Sequence, residues 1–172
     1  MTPEKICPDG LSIRAMQIDD LPAVNAVITD AVGTWGLPAA VLARTLPMFG
    51  LRADELGELN GLVARIGGQI VAVATWTAPG PGDTPAGKQD AVLLHGLYVR
   101  ADHHRRGIGR RLLAEAASIV VASGHDALAT RAQRAAEGFF LAQGFAPFPD
   151  EGEAVLYPRR LWRDPGPLAT DP

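Results

Sequence analysis

An apolar run over residues 91–99 stops at a basic loop, and two glycines one residue apart follow it; this junction constrains the chain more than any other stretch. The loop reads Arg100-Ala101-Asp102-His103-His104-Arg105-Arg106-Gly107-Ile108-Gly109-Arg110. Beyond it Ile108, Leu112, Leu113, Ala116, Ala117 and Val120 recur at the spacing of one helical face. The pattern is strand, tight turn, amphipathic helix. A helix N-terminus carries backbone N–H groups without intrahelical partners and the positive end of the macrodipole, so it attracts anions. Gly107 and Gly109 omit the Cβ atoms that would hold a phosphate away from those donors. Arg105, Arg106 and Arg110 add charge-assisted donors of the kind phosphate oxygens favour. The junction therefore reads as a cradle for a pyrophosphate.

Two phosphate-binding patterns are excluded at once. A Walker loop needs Gly-Lys-Ser/Thr, and no lysine follows these glycines. A dinucleotide fingerprint needs a third glycine three residues after the second, where this chain has Leu112. The stretch from His104 to Gly109 instead resembles motif A of the GNAT (Gcn5-related) N-acetyltransferases, Gln/Arg-x-x-Gly-x-Gly/Ala, with His104 in place of the usual Gln or Arg. A second match lies downstream in the right order. The family pattern Asn-x-x-Ala-x-x-Phe-Tyr, closed by Gly-Phe, is met by Ala136, Phe139, Phe140 and Gly144-Phe145, with Gln133 for the Asn and Phe140 for the Tyr. The resemblance spans residues 11–162.

It implies an α/β fold of the α+β type: a mixed, mostly antiparallel central sheet of about six or seven strands flanked by helices and splayed at an acetyl-CoA site. It also implies roles. The backbone of Leu97, Tyr98 and Val99 would pair with the pantetheine arm like an added strand. The Leu97 N–H would polarise the thioester carbonyl, a contribution typically worth ~3–4 kcal/mol. His104, Arg105, Arg106, Gly107, Ile108, Gly109 and Arg110 would hold the pyrophosphate, while Gln133, Ala136 and Phe140 would line the cofactor from the other side. Attack on a thioester needs a neutral amine, so a proton must leave. His95, just before the splay, is the candidate base, since imidazole is the side chain that changes charge near neutral pH. The family's usual proton donor to the departing thiolate is the Tyr that Phe140 replaces; Tyr98 and Tyr157 are the substitutes the sequence offers.

The rest of the chain is read more coarsely. Residues 11–16 form a first strand, and Asp19 and Asp20 cap a helix bearing Leu21, Val24, Val27 and Ile28, with Pro22 in its first turn. Residues 33–59, broken by Pro38, Pro47 and Gly50, hold a second, irregular helix. Residues 62–66 and 69–76 flank Gly67-Gly68 as a hairpin, and residues 79–87 are a Gly/Pro loop. Residues 127–132 form a strand, the following segment a helix, and residues 154–161 the closing strand. The expected organisation is a flexible N-terminus over 1–10, one domain over 11–162, and a disordered tail over 163–172.

Composition agrees with an ordinary soluble globular protein. The 172 residues are 47% hydrophobic with a formal charge of -3, a balance that disfavours nucleic acid as partner, and no apolar run is long enough for a bilayer. A lone Cys7 allows no internal disulfide and suits a reducing cytoplasm. No metal site is expected. The expected activity is transfer of an acetyl group from acetyl-CoA to a primary amine of a small molecule or peptide, the alternative being a non-catalytic acyl-CoA-binding module. The acceptor is unidentified; Trp35, Met48 and Phe49 could form an apolar wall for it, and Asp150, Glu151 and Glu153 could attract a cation. A homodimer is compatible with this reading.

Overall fold

The computed structural model describes residues 5–6, 10–150 and 157–166. The chain divides into two compact units, one of residues 1–75 and 97–112, the other of residues 76–96 and 113–172.

In the first unit β1 (Lys5–Ile6), β2 (Leu11–Ala15), β3 (Asn60–Ile66) and β4 (Gln69–Thr77) are neighbours in that order. β2 pairs antiparallel with β1, Ile6 opposite Ser12, and with β3, Ile13 opposite Ala64. Leu11 and Ile13 are buried while Ser12 and Arg14 between and after them are not, the period of a strand with one face on a core. β3 and β4 are joined by Gly67 and Gly68 at φ +56° and +84°, the left-handed pair that a two-residue hairpin needs. Helix α1 (Leu21–Gly33) buries Val24, Val27, Ile28, Ala31 and Val32 against Leu51, Val63, Val73 and Tyr98. Each such side chain contributes about 1.5–3 kcal/mol by leaving water, so this stripe fixes the helix on the sheet.

The segment between α1 and β3 is more broken than its sequence suggests. Helix α2 covers only Ala39–Thr45 and runs into a 3₁₀ turn, Leu46–Met48, with another at Ala53–Gly57. Asn25 holds it in place: its side chain accepts from Leu51 N at 2.8 Å and donates to Leu51 O at 3.0 Å.

In the second unit the strand order is β5 (Ala91–Val99, whose last three residues belong to the first unit), β6 (Ala127–Ala132), β8 (Arg159–Arg163), β7 (Ala146–Pro147). β5 and β6 are parallel, Leu94 opposite Thr130, with helix α3 (Ile108–Ala122) in the crossover that parallel pairing requires. β8 is antiparallel to β6, Thr130 opposite Leu161, and to β7. Residues 127–130 of β6 are all buried, as for a strand covered on both faces. The mixed, mostly antiparallel sheet with flanking helices is the fold expected. Helix α4 (Arg134–Ala142) ends at Gly144, φ +80°, where Phe145 turns back so that its N–H donates to Phe140 O at 3.1 Å.

Two expectations shift. Asp20 precedes α1 but makes no side-chain cap; its carboxylate takes a fork from Arg14 at 2.7 and 2.8 Å and the Gln17 N–H at 2.8 Å. The guanidinium, a charged bidentate donor, outcompetes the helix N–H groups. The last described strand runs Arg159–Arg163, so of the expected strand over 154–161 the described Tyr157 and Pro158 are left out, since Pro158 has no N–H to give a ladder. Cys7, Glu151, Glu153, residues 154–156 and the tail beyond residue 166 lie outside the described residues.

Candidate functional site

The loop expected to cradle a pyrophosphate starts where β5 stops. Arg100 N donates to Val71 O at 2.9 Å, tying the end of β5 to β4. A 3₁₀ turn, Ala101–His103, follows, with His103 N on Arg100 O and His104 N on Ala101 O. Two side chains brace it: Asp30 of α1 accepts the Ala101 N–H at 2.7 Å, and His104 Nε2 lies 2.8 Å from Val99 O. A carbonyl only accepts, so Nε2 carries the proton there. His104 thus acts on the loop's own backbone.

Arg105 then takes φ +59° and Gly107 φ +74°. For a residue with a Cβ the left-handed conformation costs roughly 1–2 kcal/mol, a strain set directly after the braced segment of residues 99–104. Left-handed residues next to a right-handed one turn successive backbone N–H groups toward one side as an anion-binding concavity. The first helical bond of α3 is Arg111 N to Gly107 O at 3.0 Å, so Ile108 and Gly109 present their N–H groups ahead of the hydrogen-bonded helix. Ile108 is buried and anchors the turn; the side chains of Arg105 and Arg106 are exposed and Arg110 is half-buried. The loop carries one device that the glycine pattern hides: the left-handed Arg105.

Along β5 burial alternates. Leu97 and Val99 are half-buried, Tyr98 is buried among the α1 residues, and His95 is exposed. Burial pushes the Tyr98 phenol up to about 12. In the second unit Leu94 O accepts from Thr130 Oγ1 at 3.2 Å. Gln133 is the extended N-cap of α4, its carbonyl taking the Ala136 N–H at 2.9 Å. Phe140 is buried edge-on to Phe139 and Phe145, both at 5.2 Å. The two tyrosines that could stand in for the missing proton donor are both engaged: Tyr98 in the core, and Tyr157 donating to Glu137 at 2.5 Å.

That Glu137 clamp escaped the sequence reading. Its carboxylate also accepts from Arg159, and Arg134 lies 5.1 Å over the Tyr157 ring. The Tyr157 hydrogen bond, then that of Arg159, holds the Glu137 carboxyl below its usual range, and the same bond to Glu137 pushes the Tyr157 phenol up. A second unforeseen pair is Asp83, 1% exposed, forked by Arg131 at 2.8 and 2.9 Å. Arg160 joins Gly82 O to Asp150, both at 2.9 Å, so the Asp150 charge is met within the chain, and its carboxyl is held down by that bond. Of the apolar wall, Trp35 and Phe49 pack edge-on at 5.1 Å, while Met48 is 77% exposed.

The family model for the acetyltransferase (GNAT) domain matches residues 58–147. No curated protein matches the sequence significantly. Among solved structures, the PaiA N-acetyltransferase of Thermoplasma acidophilum in complex with coenzyme A is similar at a TM-score of 0.70 and 15% identity, over 90% of this chain and 98% of that one. A GNAT family acetyltransferase from Brucella melitensis in complex with acetyl-CoA is similar at 0.64 and 15% identity, over 94% and 92%. The GNAT domain of S. lividans PAT is similar at 0.64 and 22% identity, over 94% and 96%. The matched segment covers more than half of the 172 residues and contains the phosphate loop, His95 and α4, and on that ground the chain belongs to the GNAT acetyltransferase family.

Proposed function

We propose that the protein is an acetyl-CoA-dependent N-acetyltransferase acting on a primary amine of a small molecule or peptide. The observation that carries this is the braced loop with left-handed Arg105 and Gly107 ahead of α3, a backbone concavity suited to a diphosphate. Bound acetyl-CoA supplies an activated acyl thioester. The N–H groups of Ile108 and Gly109, with Arg105, Arg106 and Arg110, bind the diphosphate, and His104 keeps the loop in shape through Val99 O. The backbone of Leu97, Tyr98 and Val99 orients the pantetheine arm, and the Leu97 N–H stabilises charge developing on the carbonyl oxygen. Gln133, Ala136 and the apolar Phe140 ring line the arm. His95 takes the proton from the incoming amine. No tyrosine hydroxyl is assigned to a departing thiolate, which would have to leave unprotonated, as a thiol with a reference pKa of about 8.5 can.

Phe140 also supports a second reading, an acyl-CoA-binding module without turnover. One experiment separates the two. Titrating coenzyme A calorimetrically and following thiol release from acetyl-CoA over a panel of primary amines should give binding together with amine-dependent release. His95→Ala should lower that release by roughly 10²-fold, the size of a general-base effect, with little change in coenzyme A affinity. Tight binding with no release for any amine would support the module instead.

A further inference from the structure

The imidazole of His104 is tied at one nitrogen. Its Nε2 donates to Val99 O at 2.8 Å, which joins the loop to the last residue of β5. A carbonyl only accepts, so Nε2 carries the proton and Nδ1 is left with its lone pair. His104 is exposed, and a proton added at Nδ1 leaves the bond to Val99 O in place while making its donor cationic. An amide at this position would donate without charge, and a guanidinium would donate with a permanent one. An imidazole does the first above its titration range and the second below it.

The charged groups around it come from the loop and from the helices on either side. Asp30 of α1 holds the Ala101 N–H at 2.7 Å, Arg100 forks Asp102 at 3.2 and 3.3 Å, Arg105 and Arg106 follow in the loop, and Arg110 and Arg111 stand in the first turn of α3. Carboxylates and guanidiniums keep one charge between about pH 6 and pH 8, where imidazole changes its own. His103 is the other imidazole: its Nδ1 is buried without a hydrogen-bond partner, and its Nε2 lies 3.9 Å from Asp102 Oδ1. A second proton on His103 would leave a buried N–H without an acceptor, whereas His104 already has its carbonyl.

We infer that binding of coenzyme A takes up a proton at His104, so that the loop holds the diphosphate more tightly as pH falls. The inference rests on the reading of residues 104–110 as the diphosphate loop. A diphosphate there favours the imidazolium over the neutral ring, and by linkage the imidazolium form binds the diphosphate more tightly by the same factor. The gain is full below the titration range of the free protein and is lost as pH rises through that of the complex.

Calorimetric titration of the full chain with dephospho-coenzyme A tests it, because this ligand keeps the diphosphate and lacks the 3′-phosphate that itself titrates near pH 6. At constant ionic strength, in two buffers of different ionisation enthalpy, the wild type should show net proton uptake near pH 6.5. Its affinity should rise about threefold from pH 7.5 to pH 6, the effect of one added charge at a solvated site. His104→Gln keeps an N–H donor for Val99 O and takes no proton, so its affinity should be flat over that range, with no uptake. His103→Gln should keep both the uptake and the rise. Saturable binding with flat affinity and no uptake in the wild type would overturn this inference alone, as would uptake that survives His104→Gln or disappears in His103→Gln. No saturable binding at any pH would overturn the diphosphate reading and the inference with it.

Discussion

The loop of residues 100–107 in the first unit leads from β5 into α3, the loop of residues 78–90 in the second leads from β4 into β5, and they are held by different means. The first is fixed by its own backbone: left-handed Arg105 and Gly107, a 3₁₀ turn, and braces from Asp30 and His104 that end on main-chain atoms. In the function proposed above its N–H groups are those that meet the diphosphate. The second is fixed by charged side chains reaching across the fold, Arg131 to Asp83 and Arg160 to Gly82. Its polar groups are spent on one another. A loop built to bind keeps its donors pointing outward, and a loop built to stay in place turns them in.

The largest effect that would break this comparison is at Gly107. Valine there would have to adopt φ +74°, at a cost of about 1–3 kcal/mol, or tilt the donors away. Coenzyme A affinity in Gly107→Val should fall by ~10²-fold or more in a calorimetric titration, with the far-UV spectrum unchanged. Arg106→Ala should cost only about tenfold, because one charge-assisted contact is lost and water replaces part of it. Equal losses in the two would mean that charge, not backbone shape, holds the ligand.

The second loop should respond in stability instead, and asymmetrically. Arg131→Ala leaves the buried Asp83 carboxylate without its guanidinium and should lower the unfolding free energy by about 3 kcal/mol in urea titrations. Asp83→Ala leaves a half-exposed arginine that water can solvate, and should cost about 1–2 kcal/mol. The reverse order would show that the pair is not what pins the loop.

The smallest effect sharpens the role of Asp20. The Arg14 hydrogen bond lowers its folded-state pKa, so its stabilising contribution is full above the unfolded value of 3.8 and is lost as pH falls through the lower folded value. Melting temperature should therefore drop more steeply below that pH in the wild type than in Asp20→Asn. Parallel curves would remove Asp20 from the acid response.

What the sequence made legible follows the same division. The Gly67-Gly68 hairpin, the strand at 127–132, the apolar face of α3 and the Gly144-Phe145 helix stop were readable because each is set by local conformational preference or by a fixed period. The phosphate loop was readable for the same reason, since glycines mark backbone shape. Its left-handed Arg105 was not, because an arginine carries no such mark and follows a segment braced by Asp30 and His104. Asp83 lies in the Gly/Pro loop of residues 79–87 and its partner is 48 positions away, a pairing that no local pattern encodes. The Glu137 clamp with Tyr157 and Arg159 was hidden likewise. Asp20 looked like a helix cap until Arg14, six residues earlier on a strand, claimed it.

The central claim is that backbone N–H groups at the start of α3 hold the diphosphate, and amide-resolved nuclear magnetic resonance on the ¹⁵N-labelled chain tests it directly. On titration with coenzyme A, the amides of Gly107, Ile108 and Gly109 should show the largest shifts and move together to saturation. Those of Gly80 and Asp83 in the pinned loop should move little. Saturable binding that leaves the Gly107–Gly109 amides in place would contradict the account.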